Sequence, residues 1–169
     1  MTKNKYLSLL ILLLVTFIAP VIGSYVTSVF KEPWYSEIIQ PSFNPPSWVF
    51  PPVWSTLYVM MSIAIWRVWT TFFNSRILKL YFFHLFFNCI WSIIFFGFHQ
   101  IGLALINIIV ILFFIIILMK EYLKIDKLSF YLMIPYFLWS SFALVLNLSL
   151  IHISEPTRLL SISYAVFCL

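Results

Sequence analysis

Charged residues are scarce in this chain of 169 residues, and their scarcity excludes a soluble domain. Asp, Glu, Lys and Arg together make up 9 % of the sequence, whereas hydrophobic residues make up 63 %. A soluble domain of this size carries about a quarter charged residues, which cover its surface. Because this chain lacks such a surface, we expect one integral membrane domain.

Cysteine, histidine and acidic residues are also few, which argues against most catalytic and metal chemistry. Cys89 lies inside an apolar run and Cys168 near the end of the chain. Two cysteines in such unrelated positions predict neither a disulfide framework nor a metal site. The five acidic residues all lie outside the long apolar runs, which argues against an ion-coupled pump. His84, His99 and His152 are scattered; each could bind haem iron, but hydrogen-bonded or interfacial roles are favoured. We predict no metal and no cofactor.

The basic residues lie at the ends of apolar runs, so we predict no nucleic-acid partner either.

Proline and tryptophan, by contrast, are concentrated in one short stretch. Six of the nine prolines lie between residues 33 and 54, together with three of the seven tryptophans. Proline fixes φ and removes a backbone donor, so we predict a stiff, irregular loop without helix or central strand. Its large aromatics favour a lid over a pocket between helices, while anchoring of helix ends at the membrane interface is the alternative. The predicted lid residues are Pro41, Pro45, Pro46 and Trp48.

Five apolar runs are long enough to cross a bilayer as helices. We predict an all-α bundle of five transmembrane helices at about residues 6–29, 53–73, 80–96, 103–119 and 128–153. A signal peptide is the alternative for the first run, but Ala19 to Gly23 offers no small-x-small cleavage site. The 40 residues between Lys79 and Lys120 carry no charge and are too many for one spanning helix, so a break is placed at residues 97–102. Residues 120–127 are predicted to form a charged, exposed connector.

The basic residues predict an orientation for these five spans. Eight lie on the side of the N-terminus and two, Lys31 and Arg158, on the other. By the positive-inside rule the N-terminus would be cytoplasmic in a bacterial plasma membrane, and the proline-rich loop would face outward. The eight are Lys3, Lys5, Arg67, Arg76, Lys79, Lys120, Lys124 and Lys127.

Helical spacing places aromatic and amide side chains on the inward faces of three helices. Aromatic walls with a few amides suit a large, flat, mostly apolar ligand such as a tetrapyrrole. A sterol fits less well because it has no π face. The alternative is that these rings only pack the helices together, and the residues by themselves leave the two interpretations even. The predicted inward residues are Trp54 and Tyr58 on the second helix, Asn88 and Trp91 on the third, and Trp139, Ala143 and Asn147 on the fifth.

Several motifs together resemble the TspO/translocator protein family, the tryptophan-rich sensory proteins. Gln40 stands where the family usually has Lys, and Cys89 replaces an aromatic residue. Leu148 and His152 replace the sterol-recognition residues, so sterol binding is not expected. The motifs that carry the resemblance are Trp34-Tyr35, Gln40-Pro41-Ser42-Phe43-Asn44-Pro45-Pro46, Pro52-Val53-Trp54, Phe95-Phe96-Gly97 and Pro135-Tyr136-Phe137-Leu138-Trp139.

The resemblance implies a five-helix bundle, often a homodimer, that binds porphyrins, haem, sterols and synthetic benzodiazepine-type ligands beneath the first loop. Trp54 and Trp139 match two tryptophans with which some bacterial members promote light-dependent porphyrin degradation. The predicted function is therefore a bilayer-embedded receptor or sensor for tetrapyrroles such as protoporphyrin IX or haem, with at most slow photo-oxidative degradation as an enzyme activity. The alternatives are a transporter of porphyrins or sterol-like lipids and a structural subunit without a ligand. Carried over residue by residue, the pocket includes Trp34, Trp54, Asn88, Trp91 and Trp139.

The end of the chain does not follow the family pattern. Residues 1–153 form the predicted transmembrane domain. Residues 154–169 form a tail foreign to the family, for which a reading-frame or assembly artefact is one explanation.

Overall fold

The hydrophobic runs fold into five long helices and two short helical turns. A computed structural model describes the backbone of residues 5–167 and the side chains of residues 5–153. Within that part of the chain the structure contains no strand. The elements are α1 (Lys5–Phe30), α2 (Trp34–Glu37), a 3-10 turn (Ser47–Val49), α3 (Phe50–Thr71), α4 (Ser75–Ser92) with a π-helical continuation (Ile93–Gly97), α5 (Ile101–Ile125) and α6 (Lys127–Phe167).

The five long helices close into a ring, because each packs against two neighbours. The order around the ring is α1, α3, α6, α5, α4 and back to α1. Large side chains fill its interior, among them the fully buried Tyr81, Tyr122, Tyr136, Met61 and Met133. Five helices are long and apolar enough to cross a membrane, over Lys5–Phe30, Ser47–Thr71, Ser75–Gly97, Ile101–Ile125 and Lys127–Ile153. The predicted all-α bundle of five transmembrane helices is confirmed.

The proline-rich loop is more regular than predicted. It contains α2 and the 3-10 turn, and α3 begins at Phe50 rather than at 53. The prediction of a loop without helix was wrong because its prolines stand where helices tolerate them. Pro33 and Pro46 directly precede the two turns, and Pro51-Pro52 lie in the first turn of α3, where a missing N–H leaves no bond unmade.

Two further helix ends differ from the prediction. Helix α4 begins at Ser75 rather than at 80, because the Asn74 side chain caps it by accepting a 2.9 Å hydrogen bond from the Arg76 backbone N–H. Helix α5 continues to Ile125 rather than ending at 119, because Tyr122 is fully buried while Lys120 and Lys124 lie on the exposed face. The predicted connector over residues 120–127 is thus reduced to one residue between two helices.

The last helix also runs further than predicted. The backbone of α6 is helical through Phe167, whereas an end at 153 was expected. Proline removes only one helical hydrogen bond, and Pro156 is the one strong helix breaker in the added segment, so the helix continues past it. The side chains of residues 154–169 lie outside the described part of the chain, and the prediction that this tail is foreign stays a prediction.

Candidate ligand site beneath the proline-rich loop

One end of the loop is anchored on the π-helical end of α4. The Trp34 ring meets the Phe95 ring edge-on, with centroids 5.5 Å apart, and stacks on His99 at 4.4 Å. Tyr35 meets Phe96 edge-on at 5.7 Å. Phe95 and Phe96 both belong to the π-helical turn, and their ring centroids are 4.8 Å apart. Trp34 therefore lies against the loop end of α4, and its role as a pocket residue stays a prediction.

The other end of the loop is anchored on α6. Phe43 meets Phe142 edge-on at 6.5 Å, and Phe50 meets Trp139 edge-on at 5.9 Å. Pro41, within the loop, is buried. The loop thus covers the bundle end from α4 to α6.

Not every predicted lid residue takes part in that cover. Pro45 is half-buried and Pro46 exposed. Trp48 is 74 % exposed, so the prediction that its ring helps to close the lid was wrong. The ring projects from the 3-10 turn away from the bundle, the position of an interfacial anchor.

Beneath the loop, rings from α3 and α6 form an aromatic wall. The Trp54 ring lies 5.8 Å from Tyr58 on its own helix and 6.2 Å from Tyr136 on α6. Trp91 on α4 stacks almost parallel on Phe95, with centroids 4.9 Å apart. Trp91 contacts both the main core and the smaller cluster at the mouth, so it joins the two.

A buried hydrogen-bond chain crosses the bundle directly under this wall. Tyr58 donates to Asn88 Oδ1, and Asn88 Nδ2 donates to the Tyr136 hydroxyl at 2.9 Å. The same hydroxyl lies 2.7 Å from His84 Nε2. The predicted inward position of Asn88 is confirmed, and the hydrogen-bonded role favoured for histidine holds for His84.

Sequence reasoning missed His84 and Tyr136 as members of this site. A signal for each was present, because His84 precedes Asn88 by four residues and Tyr136 precedes Trp139 by three, which puts each on the face of a chosen residue. Their pairing could not be predicted, because it depends on how α4 and α6 are placed in the ring.

Several buried polar atoms near this wall have no hydrogen-bond partner among the described side chains. They include the indole Nε1 atoms of Trp91 and Trp139 and both polar atoms of the Asn147 amide. Asn147 is 1 % exposed. An unpaired amide is costly in a membrane interior, so those of these groups that lie beside the aromatic wall could pair with a ligand's polar atoms. Trp139, Ala143 and Asn147 follow one another at four-residue spacing, which aligns them on one face of α6, as predicted.

Two hollows on the outer surface lie apart from these residues. One, of about 360 Å³, is lined by Lys79, Phe82, Phe83 and Phe86. The other, of about 190 Å³, is lined by residues of α5 and α6, among them Phe130 and Phe137. Neither is lined by a predicted site residue, so neither is a candidate for the ligand site.

Residues 10–153 match the model of the TspO/MBR family. The chain belongs to the TspO/MBR family. It is therefore an integral, multi-pass membrane protein, in agreement with its five spans. The matched range contains every predicted site residue of this TspO/MBR member.

Relatives within the TspO/MBR family come from bacteria and animals. The chain is 34 % identical to a tryptophan-rich sensory protein of Cereibacter sphaeroides over 137 residues, 80 % of this chain and 87 % of the relative. It is 33 % identical to a tryptophan-rich protein TspO of Chlorobaculum tepidum over 125 residues, 72 % and 79 % of the two chains. It is also 33 % identical to the human translocator protein over 139 residues, 77 % and 82 % of the two chains.

Proposed function

We propose that this protein is a membrane receptor that binds a tetrapyrrole, such as protoporphyrin IX or haem, beneath the loop that joins α1 to α3. The observation that carries the proposal is the set of unpartnered buried groups beside stacked rings. The indole N–H groups of Trp91 and Trp139 are donors, and the Asn147 amide supplies both a donor and an acceptor. A flat macrocycle would stack on the rings while its polar atoms pair with these groups.

One relative supports a sensing role, because it is called a tryptophan-rich sensory protein. The proposed ligand-binding residues are Trp34, Trp54, Tyr58, Asn88, Trp91, Trp139, Ala143 and Asn147. Trp54 and Trp139 are also the proposed electron donors to a photoexcited porphyrin, which would lead to its slow degradation in light.

Tryptophan replacement tests the site. Detergent-purified protein is titrated with protoporphyrin IX in the dark, and both tryptophan quenching and porphyrin absorbance are followed. Trp139→Phe removes an indole N–H inside the proposed site, so we expect saturable binding that the substitution weakens about tenfold, the equivalent of one lost hydrogen bond.

Trp69→Phe is the matched control. Trp69 also has a buried, unpartnered indole nitrogen, but it lies near the other end of α3 from Trp54. Its replacement should leave the dissociation constant unchanged. Equal weakening by both substitutions, or no saturable binding by the parent protein, would overturn the proposal.

Transport of the same ligand is the second candidate, favoured by the name of the human relative. Proteoliposomes loaded with protoporphyrin IX distinguish the two functions. A receptor retains ligand up to its binding capacity without net flux, whereas a transporter moves many equivalents for each protein.

A further inference from the structure

The buried chain that connects Trp54 to His84 has the layout of a redox relay. The Trp54 ring lies 6.2 Å from the Tyr136 ring, and the Tyr136 hydroxyl lies 2.7 Å from His84 Nε2. Tyr136 and His84 are both fully buried. A phenol in van der Waals range of an indole and hydrogen-bonded to a base is suited to losing an electron and a proton together.

The hydrogen bonds limit where the phenolic proton can go. Asn88 Nδ2 donates to the Tyr136 oxygen, so Asn88 cannot take the phenolic proton. The 2.7 Å contact between the Tyr136 hydroxyl and His84 Nε2 fits donation in either direction, because the imidazole tautomer sets it. The relay requires the tautomer with the proton on Nδ1, in which Tyr136 donates to a neutral imidazole in the resting state.

We propose that Tyr136 and His84 form a proton-coupled electron relay that re-reduces Trp54 after Trp54 has been oxidised by a photoexcited ligand; this inference rests on the proposed binding of a tetrapyrrole. One electron passes from Trp54 to the excited tetrapyrrole, which leaves a tetrapyrrole radical anion and a Trp54 radical cation. Tyr136 then gives one electron to Trp54 and its phenolic proton to His84 Nε2. The products are neutral Trp54, a neutral Tyr136 phenoxyl radical and a His84 imidazolium, and recombination with the radical anion reverses both transfers.

Tyr58 is a natural comparison within the same network. Its ring centroid lies 5.8 Å from that of Trp54, against 6.2 Å for Tyr136, and it is also buried in the core. Its hydroxyl, however, donates to the Asn88 amide oxygen, which is too weak a base to take up a phenolic proton. Tyr58 can therefore pass an electron only without giving up its proton, and it is excluded as the relay tyrosine.

The relay is tested with the protoporphyrin IX complex, after dark titration has established the fraction bound. The complex is illuminated by a laser flash, and the porphyrin radical anion, indolyl radical and phenoxyl radical are followed by transient absorption, with electron paramagnetic resonance of freeze-trapped samples. Protein containing ring-deuterated tyrosine assigns the radical to tyrosine. Formation of the phenoxyl radical should slow in D₂O, because a proton moves with the electron.

Three variants decide the outcome. Tyr136→Phe should lose the phenoxyl signal and prolong the indolyl radical, and His84→Phe should do the same with Tyr136 present. Tyr81→Phe should retain the parent signal and its D₂O effect, because Tyr81 is a buried tyrosine outside the proposed ligand site whose hydroxyl pairs with Thr16. Bound porphyrin without a phenoxyl radical, or a signal lost in Tyr81→Phe but kept in Tyr136→Phe, would overturn the relay and leave the proposed receptor intact. Absence of dark binding by the parent protein would overturn both the relay and the proposed receptor. If His84→Phe fails to bind porphyrin in the dark, it is replaced by His84→Gln. Glutamine keeps a polar side chain but is too weak a base, so this variant should also lose the phenoxyl signal.

Discussion

At the scale of single residues, the buried Asn147 amide lowers the stability of the unliganded protein. Its amide is fully buried and lacks a partner for either polar atom among the described side chains. Replacing Asn147 by the similarly sized Leu removes this desolvation cost, so we expect the unliganded protein to gain roughly 1–2 kcal/mol of unfolding free energy and to bind protoporphyrin IX more weakly. Thermal unfolding in detergent and the dark titration measure the two effects.

Asn107 provides the opposite case for the same substitution. It is also buried within a spanning helix, but its Nδ2 donates to the Phe87 carbonyl at 2.9 Å. Asn107→Leu should therefore lose stability and leave the ligand affinity unchanged. If Asn147→Leu destabilised the protein as much as Asn107→Leu does, the Asn147 amide would have to be satisfied within the bundle, and its role in binding would be refuted.

Some residues of the site were placed correctly from the sequence, and others were not. Spacing on a single helix placed Asn88, Trp54 and Tyr58 correctly, because helical periodicity fixes a face without knowledge of the neighbours. Trp48 was misplaced, because a three-residue 3-10 turn, which no periodicity reveals, sets its direction. The pairing of His84 with Tyr136 joins helices 52 residues apart in sequence and requires the order of helices around the ring.

At the scale of helices, Asp126 holds three elements together at the end of the bundle away from the loop. As the single residue between α5 and α6, it accepts hydrogen bonds from Arg67 Nε at 2.7 Å and Arg67 Nη2 at 3.1 Å on α3. It also accepts from the Ser129 backbone N–H at 3.1 Å and hydroxyl at 2.6 Å, which caps α6. The Arg67 guanidinium holds the pKa of the Asp126 carboxyl well below its usual range, assisted by Ser129.

We therefore expect Asp126→Asn to destabilise the protein by roughly 1–2 kcal/mol at neutral pH, because the charge-assisted bonds to Arg67 are lost while the cap is largely retained. A lowered folded pKa means that the contribution of the carboxylate is complete above its ordinary pKa, near about 4, and is lost as the pH falls further toward the folded value. The parent protein should thus lose its advantage over Asp126→Asn below that pH. Thermal unfolding of both proteins across acidic and neutral pH measures the difference.

The matched control for Asp126 is Glu121. It pairs with Lys124 at 2.9 Å along the exposed face of α5. Such helix-surface pairs contribute about 0.3–0.5 kcal/mol, so Glu121→Gln should change little. A constant gap between the parent and Asp126→Asn at every pH would contradict the assigned role of the Asp126 charge.

Helix ends were predictable only where a local signal determines them. Asn74 caps α4 within one turn, so its signal was present in the sequence and was overlooked. The extension of α5 depended instead on the burial of Tyr122 against neighbouring helices, which outweighs the two lysines beside it in sequence. The charged residues from Lys120 onward therefore did not mark the end of the helix.

At the scale of the whole molecule, contacts gather the basic residues at one end of the bundle. The Trp66 indole N–H donates to the Lys5 carbonyl oxygen at 3.2 Å, which joins the start of α1 to the end of α3. The ion pair of Arg67 with Asp126 joins the same end of α3 to the junction of α5 and α6. The proline-rich loop lies at the opposite end, where Lys31 is the basic residue of the connection after α1. This arrangement supports the predicted orientation with a cytoplasmic N-terminus.

The orientation is tested by labelling single cysteines in intact bacterial cells with a membrane-impermeant maleimide. In a background of Cys89→Ala and Cys168→Ser, Trp48→Cys places a thiol on the exposed 3-10 turn of the loop, and Lys124→Cys places one at the exposed end of α5. The predicted orientation requires Trp48→Cys to react before lysis and Lys124→Cys to react only after it. The unsubstituted background should not react, and retained porphyrin binding shows that each variant is folded. The reverse labelling pattern would place the loop in the cytoplasm, and a ligand would then have to reach Trp34 from inside the cell. Equal labelling of both sites in intact cells would mean that the charge bias does not fix one orientation.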